Sequence, residues 1–132
     1  MALDMFVING GKPLEGNVSV RGGKNAVLPM LCASLIPEEG EVVLRNVPNL
    51  SDIRTMLKLL EYMGADYEYD PDGGHLTVDP TGVENKPAPY DLVRKMRASF
   101  RIMGALLARF GEAKVSMPGG CAIGSRPVNW HI

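Results

Sequence analysis

The chain has 132 residues, of which 45% are hydrophobic and 22% are charged, and its formal net charge at pH 7 is -1. A chain of this length can bury one modest core, and this composition is typical of a soluble, folded protein and excludes a disordered or membrane-embedded one. A net charge near zero supplies no overall electrostatic field. We therefore expect neither nucleic acid nor an acidic membrane surface as a partner, and we expect any anion to be bound by local groups.

The N-terminus and the two cysteines bear on the cellular compartment. The opening MALDMFVING has neither the basic region nor the long apolar region of a secretory signal. No apolar run approaches the roughly 20 residues of a membrane-spanning helix. Cys32 falls in an apolar helical run and Cys121 in a glycine-rich loop, with no disulfide framework around them. These features predict a protein of the reducing cytoplasm.

The first third of the chain predicts two strands, a helix and a further strand. The strands are expected at 5–8 and 17–21, separated by a glycine-rich turn. A helix is expected from about Lys24 to Leu35, beginning near Gly23. Pro29 can be accepted if it lies in or just beyond the first turn, where backbone donors lack intrahelical partners. The segment GEVVLRNVP predicts the next strand.

The segment NLSDIRTMLKLLEYMGA predicts the clearest helix of the chain. Asn49 or Ser51 is expected to cap its N-terminus and Gly64 to end it. Its apolar residues recur at helical spacing and are expected to face the core: Ile53, Met56, Leu57, Leu60 and Met63. The following DYEYDPDGGHLTVD predicts a hairpin around an Asp-Gly-Gly turn, and PTGVENKPAPY predicts a polar connector.

The rest of the chain predicts a long helix from Asp91 to Phe110, a strand in GEAKVSMPGG and a fourth helix capped by Ser125. Laying RASFRIMGALLARFGEAKVSM over KNAVLPMLCASLIPEEGEVVL matches helix to helix and strand to strand, with Arg97 on Lys24. This internal similarity predicts one complete β-α-β-α-β-β repeat and half of the next. We therefore expect the chain to be a piece of a longer protein.

The run RGGKNA lies at a predicted junction between a strand and a helix. The free backbone N–H groups and the positive end of a helix favour an anion there, while Lys24 adds charge and Asn25 adds an amide donor. In the alternative interpretation the glycines only make a tight turn, Asn25 caps the helix and Lys24 is solvated. Taken alone, the motif favours this second interpretation.

Three arginines of the predicted third helix, Arg94, Arg97 and Arg101, have the spacing of one helix face and could bind phosphate or carboxylate. The alternative is a solvated basic stripe, which is favoured for Arg94 and Arg101.

Cys121 follows Pro118, Gly119 and Gly120, so the backbone can expose its thiol, and Arg126 can favour the thiolate or orient an anion. The alternative is a small residue in a glycine loop. Cys32 is instead expected to pack in the core.

Metal and nucleotide motifs are missing from the sequence. His75 and His131 have no companion at a metal-ligand spacing, and no acidic metal loop is present, so we expect no metal. The sequence has no Walker A loop and no G-x-G-x-x-G, and the single tryptophan, Trp130, makes no aromatic platform for bases.

Three motifs follow one another along the chain: the lysine-asparagine pair after a predicted strand, then YDLVRKMRAS, then GGCAIGSRPV. This combination resembles the N-terminal part of the UDP-N-acetylglucosamine 1-carboxyvinyltransferase (enolpyruvyl-UDP-GlcNAc synthase) family over nearly the whole chain. The resemblance implies an α/β (α+β) fold of repeated β-α-β-α-β-β units in two similar domains, with helices inside and sheets outside. We expect residues 1–21 to form strands of the other domain, 22–90 the first complete repeat and 91–132 a truncated second repeat.

The resemblance also implies an activity. Members of the family transfer the enolpyruvyl group of phosphoenolpyruvate to the 3'-hydroxyl of UDP-N-acetylglucosamine and release phosphate, in the first committed step of peptidoglycan synthesis. The implied partners are these two small molecules and the missing C-terminal portion of the same chain, and no cofactor is implied. The 132 residues alone are expected to be inactive.

By the same resemblance, Lys24, Asn25 and Arg126 contact phosphoenolpyruvate. Cys121 is implied as the general acid toward the enolpyruvyl methylene, as a site of covalent adducts and as the target of fosfomycin. The residues implied for UDP-N-acetylglucosamine are Arg97, Arg126, Pro127, Val128, Asn129 and Trp130. The chain departs from the family's pattern in two places: Asn129 and Trp130 replace the usual Asp-Leu, and GGKN replaces the commoner GAKN.

Two alternatives stay open. The shikimate-pathway enolpyruvyl transferase shares the repeat fold and the phosphoenolpyruvate chemistry but has a Lys-Ser entry motif and no GGC loop, so Asn25 and Cys121 argue against it. The second alternative is a non-catalytic module that binds a sugar nucleotide or serves regulation.

Overall fold

The computed structural model describes residues 5–117. The predicted fourth helix, with Ser125 as its cap and Pro127 in its first turn, lies outside these residues. The described elements, in chain order, are helix α1 (Lys24–Ala33), strand β1 (Val42–Leu44), helix α2 (Ser51–Tyr62), strands β2 (Asp66–Asp70) and β3 (His75–Asp79), the single turn α3 (Tyr90–Val93), a 3-10 helix (Arg97–Arg101) and helix α4 (Ile102–Phe110).

The three strands form one antiparallel sheet in the order β1-β3-β2. β2 and β3 make the predicted hairpin, and Val43, Thr77 and Glu68 lie side by side across the sheet. Alternate residues of β3 point to opposite faces, and Leu76 and Val78 are fully buried on the face that meets the helices. The predicted mixture of helices and sheet is therefore confirmed, with the helices on one side of the sheet.

The core lies between α1, α2, α4 and the inner face of the sheet. Every residue of the predicted apolar stripe of α2 is at most 1% exposed, and Leu59 is buried beside them. Burying an aliphatic side chain of this size contributes about 1.5–3 kcal/mol relative to leaving it in water. Packing of α2 is therefore a large part of what holds the described chain together.

The two ends of α2 compare differently with the prediction. Leu50 occupies the N-cap position, and the Asn49 amide oxygen instead accepts a hydrogen bond of 2.5 Å from Arg54 Nη2, so the predicted Asn49 or Ser51 cap is wrong. The C-terminal end is as predicted. Gly64 has a φ of 101°, and the N–H of Ala65 donates to the carbonyl of Leu60, which is the helix termination that glycine allows.

The two strands predicted at 5–8 and 17–21 do not form within the described chain. Phe6, Val18 and Val20 are between 82% and 92% exposed. A strand is held by hydrogen bonds to a neighbouring strand, and the described sheet pairs only β1, β2 and β3. The alternating apolar pattern therefore has no partner here to convert it into a strand.

The predicted continuous helix from Asp91 to Phe110 is also wrong, because it is broken into α3, the 3-10 helix and α4. Met96, between the first two pieces, has extended dihedral angles of φ -147° and ψ 119°. Val93 and Leu106 are both fully buried. At 3.6 residues per turn they would lie on nearly opposite sides of an unbroken helix. The break resets the helical phase so that both can face the same core.

The strand predicted in GEAKVSMPGG reduces, within the described residues, to one parallel bridge between Val115 and Ala88. The Ala88 N–H donates to the carbonyl of Lys114 at 3.0 Å. The predicted strand therefore pairs with the polar connector before α3 only through Ala88, and one bridge does not make a strand. In the part of the chain that the structure describes, no helix has both the length and the apolar character needed to cross a membrane.

Candidate functional site

The candidate anion site begins at the N-terminus of α1. Gly23 is the N-cap in an extended conformation, Lys24 is the first helical residue and Asn25 the second. The interpretation of Asn25 as a helix cap is therefore wrong. Ala26 and Val27 are the first residues whose N–H groups bond back to the Gly23 carbonyl, so the amides of Lys24 and Asn25 precede the helical ladder. Two side-chain donors and early backbone donors thus lie together on an exposed surface.

The segment before α1 is tied to two neighbouring loops. The Gly22 N–H donates to the Asn46 carbonyl at 3.0 Å, and Arg21 Nη2 donates to the Asp72 carbonyl at 2.6 Å. A Cβ on Gly22 would collide with the same Asn46 carbonyl oxygen, whereas a Cβ on Gly23 would meet nothing within 4 Å. These contacts fix the entry of the chain into α1. They also make GGKN and GAKN sterically equivalent at position 23.

Lys24 has a partner that the sequence analysis missed. Its Nζ lies 2.7 Å from Oδ2 of Asp52, and the two side chains are 46% and 36% exposed. Asp52 lies in the first turn of α2. The N-termini of α1 and α2 therefore converge on one ion pair. An acidic residue in a first helical turn is visible in the sequence, but it is common there because it favours the positive end of the helix, and it does not reveal a distant partner.

The three arginines predicted to share a helix face do not do so. Arg94 is exposed, lies 3.4 Å from an Asp91 oxygen and stacks over the Tyr90 ring. Arg101 is exposed at the end of the 3-10 helix. Arg97 is half-buried and begins the 3-10 helix, which packs against α1. The break at Met96 thus separates Arg94 from the other two and leaves Arg97 in the element that contacts the helix of Lys24.

Lys24 and Arg97 occupy equivalent local positions. Each is the first residue of a helical segment, and each follows a residue in an extended conformation, Gly23 and Met96 respectively. This equivalence accords with the internal alignment of the sequence. The repeat boundaries at 22–90 and 91–132 stay a prediction.

Cys32 packs in the core, as predicted. It is 3% exposed, and its Sγ lies 4.0 Å from Sδ of Met56. Burial raises the pKa of the Cys32 thiol to about 12, against a smaller opposing effect of the Arg101 charge. At neutral pH this cysteine is a thiol without nucleophilic character.

The remaining predicted site residues, Cys121, Arg126, Pro127, Val128, Asn129 and Trp130, lie outside the described residues. Between residues 5 and 117, no three His, Cys, Asp or Glu side chains come together in a group that could hold a metal ion. What the described part offers chemically is backbone and side-chain donors at one helix start, where the Lys24 ammonium is paired with Asp52, and Arg97 on a neighbouring element. That arrangement suits an anionic ligand.

Comparison with known proteins identifies related sequences. Residues 8–132 match the family described as EPSP synthase (3-phosphoshikimate 1-carboxyvinyltransferase). The chain is 55% identical over 130 residues to UDP-N-acetylglucosamine 1-carboxyvinyltransferase 2 of Staphylococcus saprophyticus subsp. saprophyticus. It is 54% identical over the same length to UDP-N-acetylglucosamine 1-carboxyvinyltransferase 1 of Staphylococcus epidermidis. Each alignment covers 98% of this chain and 31% of the relative, so the chain spans about a third of their length.

A solved structure supports the fold. The crystal structure of the enolpyruvyl transferase NikO from Streptomyces tendae aligns with a TM-score of 0.67 and 26% sequence identity. The alignment covers 77% of this chain and 23% of the other. The similarity in structure and sequence agrees with the mixed helix and sheet architecture described above.

Proposed function

The chain belongs to the EPSP synthase family, and from that premise we propose that the protein containing it is a UDP-N-acetylglucosamine 1-carboxyvinyltransferase. It transfers the enolpyruvyl group of phosphoenolpyruvate to the 3'-hydroxyl of UDP-N-acetylglucosamine and releases phosphate. The observation that carries this proposal is the 55% identity to a relative of that name over 98% of this chain. The reaction would serve peptidoglycan synthesis in the bacterial cytoplasm.

The phosphoenolpyruvate site is proposed at the start of α1. Lys24 and Asn25 hold the phosphate and carboxylate, and Arg126 adds a further positive charge. The early amides of α1 and its positive helix end support this assignment, because both favour an anion there. Donors that are fixed before the reaction stabilise the negative charge of the tetrahedral addition intermediate without reorganising.

The proposed chemistry is an addition followed by an elimination. In the addition, the 3'-hydroxyl oxygen bonds to C2 of phosphoenolpyruvate, the Cys121 thiol gives its proton to the C3 methylene, and a base takes the hydroxyl proton. In the elimination, a base takes a proton from the new methyl group, the electron pair of that C–H bond re-forms the C2–C3 double bond, and the C2–O bond breaks with its electron pair leaving on the released phosphate. The base is expected in the part of the relatives' length that this chain does not span.

The sugar nucleotide is proposed to lie beside the phosphoenolpyruvate site. Arg97 supports this placement because it begins the element that packs against α1. The segment after Cys121 supplies the other contacts: Arg126, Pro127, Val128, Asn129 and Trp130. With backbone groups making many of these contacts, the replacement of Asp-Leu by Asn129 and Trp130 would change side-chain details more than the choice of substrate.

The test is phosphate release by the full-length protein that carries this chain. Phosphoenolpyruvate is supplied with UDP-N-acetylglucosamine in one reaction and with shikimate 3-phosphate in the other. We expect release only with UDP-N-acetylglucosamine.

The second candidate is 3-phosphoshikimate 1-carboxyvinyltransferase, because the family description carries that name. Release only with shikimate 3-phosphate would select it and reject the proposal. An absence of turnover with either acceptor, with retained binding of UDP-N-acetylglucosamine, would instead favour a non-catalytic sugar-nucleotide-binding module.

A further inference from the structure

We propose that Asp52 is a positioning residue for the reaction, and that its carboxylate holds the Lys24 ammonium group at the start of α1 in the place where it meets the anionic substrate. The inference rests on the proposed function, because it assigns to Lys24 the contact with phosphoenolpyruvate. Asp52 itself need not touch the substrate.

The geometry joins two separate helices. Lys24 is the first residue of α1, Asp52 is the second residue of α2, and their charged atoms are 2.7 Å apart. Lysine carries its charge on a flexible chain of four carbons, so without a partner the ammonium group samples many positions. One short, charge-assisted hydrogen bond restricts it to one region and leaves two of its three N–H donors for a ligand.

The two partners are unequally placed with respect to their own helices. A carboxylate in the first turn of α2 is favoured by the positive end of that helix, so Asp52 is stabilised where it lies. A lysine in the first turn of α1 is disfavoured by the same effect, so Lys24 would otherwise turn toward solvent. We therefore infer that the Asp52 carboxylate stays in place and that the ion pair orients the Lys24 ammonium group.

The loop between β1 and α2 sets the distance between the two helix starts. Its Asn46 carbonyl accepts the hydrogen bond from Gly22, next to the N-cap of α1. Three residues later, Asn49 accepts the hydrogen bond from Arg54 in the first turns of α2. The same loop is thus bonded to the entry of α1 and to the first turn of α2, and it ties the two helix starts to each other.

A purely structural role for this pair is the competing explanation. Ion pairs between exposed side chains contribute little to stability, because water screens them and ordering two side chains costs entropy. With both side chains more than a third exposed, Asp52→Asn is expected to leave thermal unfolding nearly unchanged. An effect on the reaction can then be separated from an effect on folding.

The experiment compares four forms of the full-length protein: unsubstituted, Asp52→Asn, Lys24→Ala and the double variant. Asp52→Asn is expected to lower kcat about tenfold, since a small displacement of a positioning group is costly at the transition state. The KM for phosphoenolpyruvate should change less than about threefold, because losing the repulsion between Asp52 and the anion offsets losing the ordering of Lys24. In the Lys24→Ala background the Asp52 substitution should change kcat less than about twofold.

The matched control is Glu61→Gln, which removes one negative charge from an exposed position of the same helix and is expected to leave kcat unchanged. Equal kcat values for Asp52→Asn and Glu61→Gln would overturn the inference while leaving the proposed function intact. Additive losses in the double variant would also overturn it, since Asp52 would then act independently of Lys24. No turnover in the unsubstituted protein would reject the proposed function, and the inference with it.

Discussion

Gly22 and Gly23 are neighbours with opposite requirements, although the sequence presents them as an equivalent pair. The backbone of Gly22 approaches the Asn46 carbonyl so closely that no Cβ fits between them, while Gly23 faces open space in an ordinary extended conformation. The pairing of Gly22 with a loop that is 24 residues away in the chain decides this difference. A sequence motif records that glycines are present and does not record which one is required.

A matched pair of substitutions tests this difference. Gly22→Ala should destabilise the fold by about 1–3 kcal/mol, because the Asn46 loop must shift to admit the methyl group. Gly23→Ala should be close to neutral, because the gain of about 0.4–1 kcal/mol from restricting the unfolded chain is offset by the lower preference for alanine at the N-cap of α1. Thermal unfolding of both variants measures the effect. Equal destabilisation by the two substitutions would contradict the contact at Gly22.

The two cysteines form a second contrast at this scale. We expect fosfomycin to add mass to Cys121 and not to Cys32 in the full-length protein with UDP-N-acetylglucosamine present. Cys32 is buried and its pKa is raised to about 12, so it offers neither access nor thiolate. Mass spectrometry of proteolytic fragments identifies the modified residue, with Cys121→Ser as the control. Modification confined to Cys32 would reject the assignment of Cys121.

At the scale of elements, the sequence predicts a helix or hairpin correctly where the signal lies within the residues of that element. The spacing of apolar residues located α2, and the Asp-Gly-Gly turn located the β2–β3 hairpin. The apolar residues beyond Asp91 continue at helical spacing through Met96, so the sequence predicts one long helix where the structure has three shorter segments. Burial of Val93 and Leu106 in one core required a break that periodicity does not reveal. The prediction that Arg94, Arg97 and Arg101 share one helix face is wrong for the same reason, because the break separates Arg94 from the other two.

The hairpin turn carries a pH-dependent contribution to stability. Oδ1 of Asp70 accepts hydrogen bonds of 3.0 Å from the N–H groups of Asp72 and Gly73. The Gly73 amide is the main cause of a lowered pKa for Asp70, with the Asp72 amide and the charges of His75 and Arg21 acting in the same direction against desolvation. A lowered folded-state pKa means that the contribution is present above the ordinary value of 3.8 and is lost as the pH falls through the folded value.

Two substitutions of Asp70 separate its hydrogen bonds from its charge. Asp70→Asn keeps an oxygen acceptor for the turn and cannot titrate, so it should reduce the loss of stability in acid. Asp70→Ala removes the acceptor as well and should destabilise the fold at neutral pH. Urea unfolding midpoints measured from pH 7 downward provide the comparison. A steep acid loss that is unchanged in Asp70→Asn would assign it to other carboxylates.

At the scale of the whole molecule, the N-terminal segment is the largest feature without a packing partner among the described residues. Its apolar side chains, including Phe6, Leu14 and Val18, are almost fully exposed. Its alternating pattern nevertheless predicts strands, and the chain spans about a third of the length of its relatives. We propose that residues 1–21 pair with a sheet of the other domain in the full-length protein.

Hydrogen exchange tests this placement. The amides of residues 5–20 should exchange more slowly in the full-length protein than in the 132-residue chain, because pairing in a sheet protects backbone N–H groups. The amides of α2 serve as the internal reference, since its buried face is packed in the described chain. Equally fast exchange of residues 5–20 in both forms would reject the proposed pairing.

Features that depend on neighbouring residues could be predicted from the sequence: the apolar stripe of α2, the turn of the β2–β3 hairpin, the start of α1, the burial of Cys32 and the motifs that resemble the family. These follow from backbone preferences and side-chain periodicity within short windows. Four other features became visible only in the folded molecule: the pairing of Lys24 with Asp52, the need for glycine at position 22, the break at Met96 and the lack of strands before α1 in the described chain. Each of these depends on groups far apart in the chain, where packing and hydrogen bonding outweigh local preference.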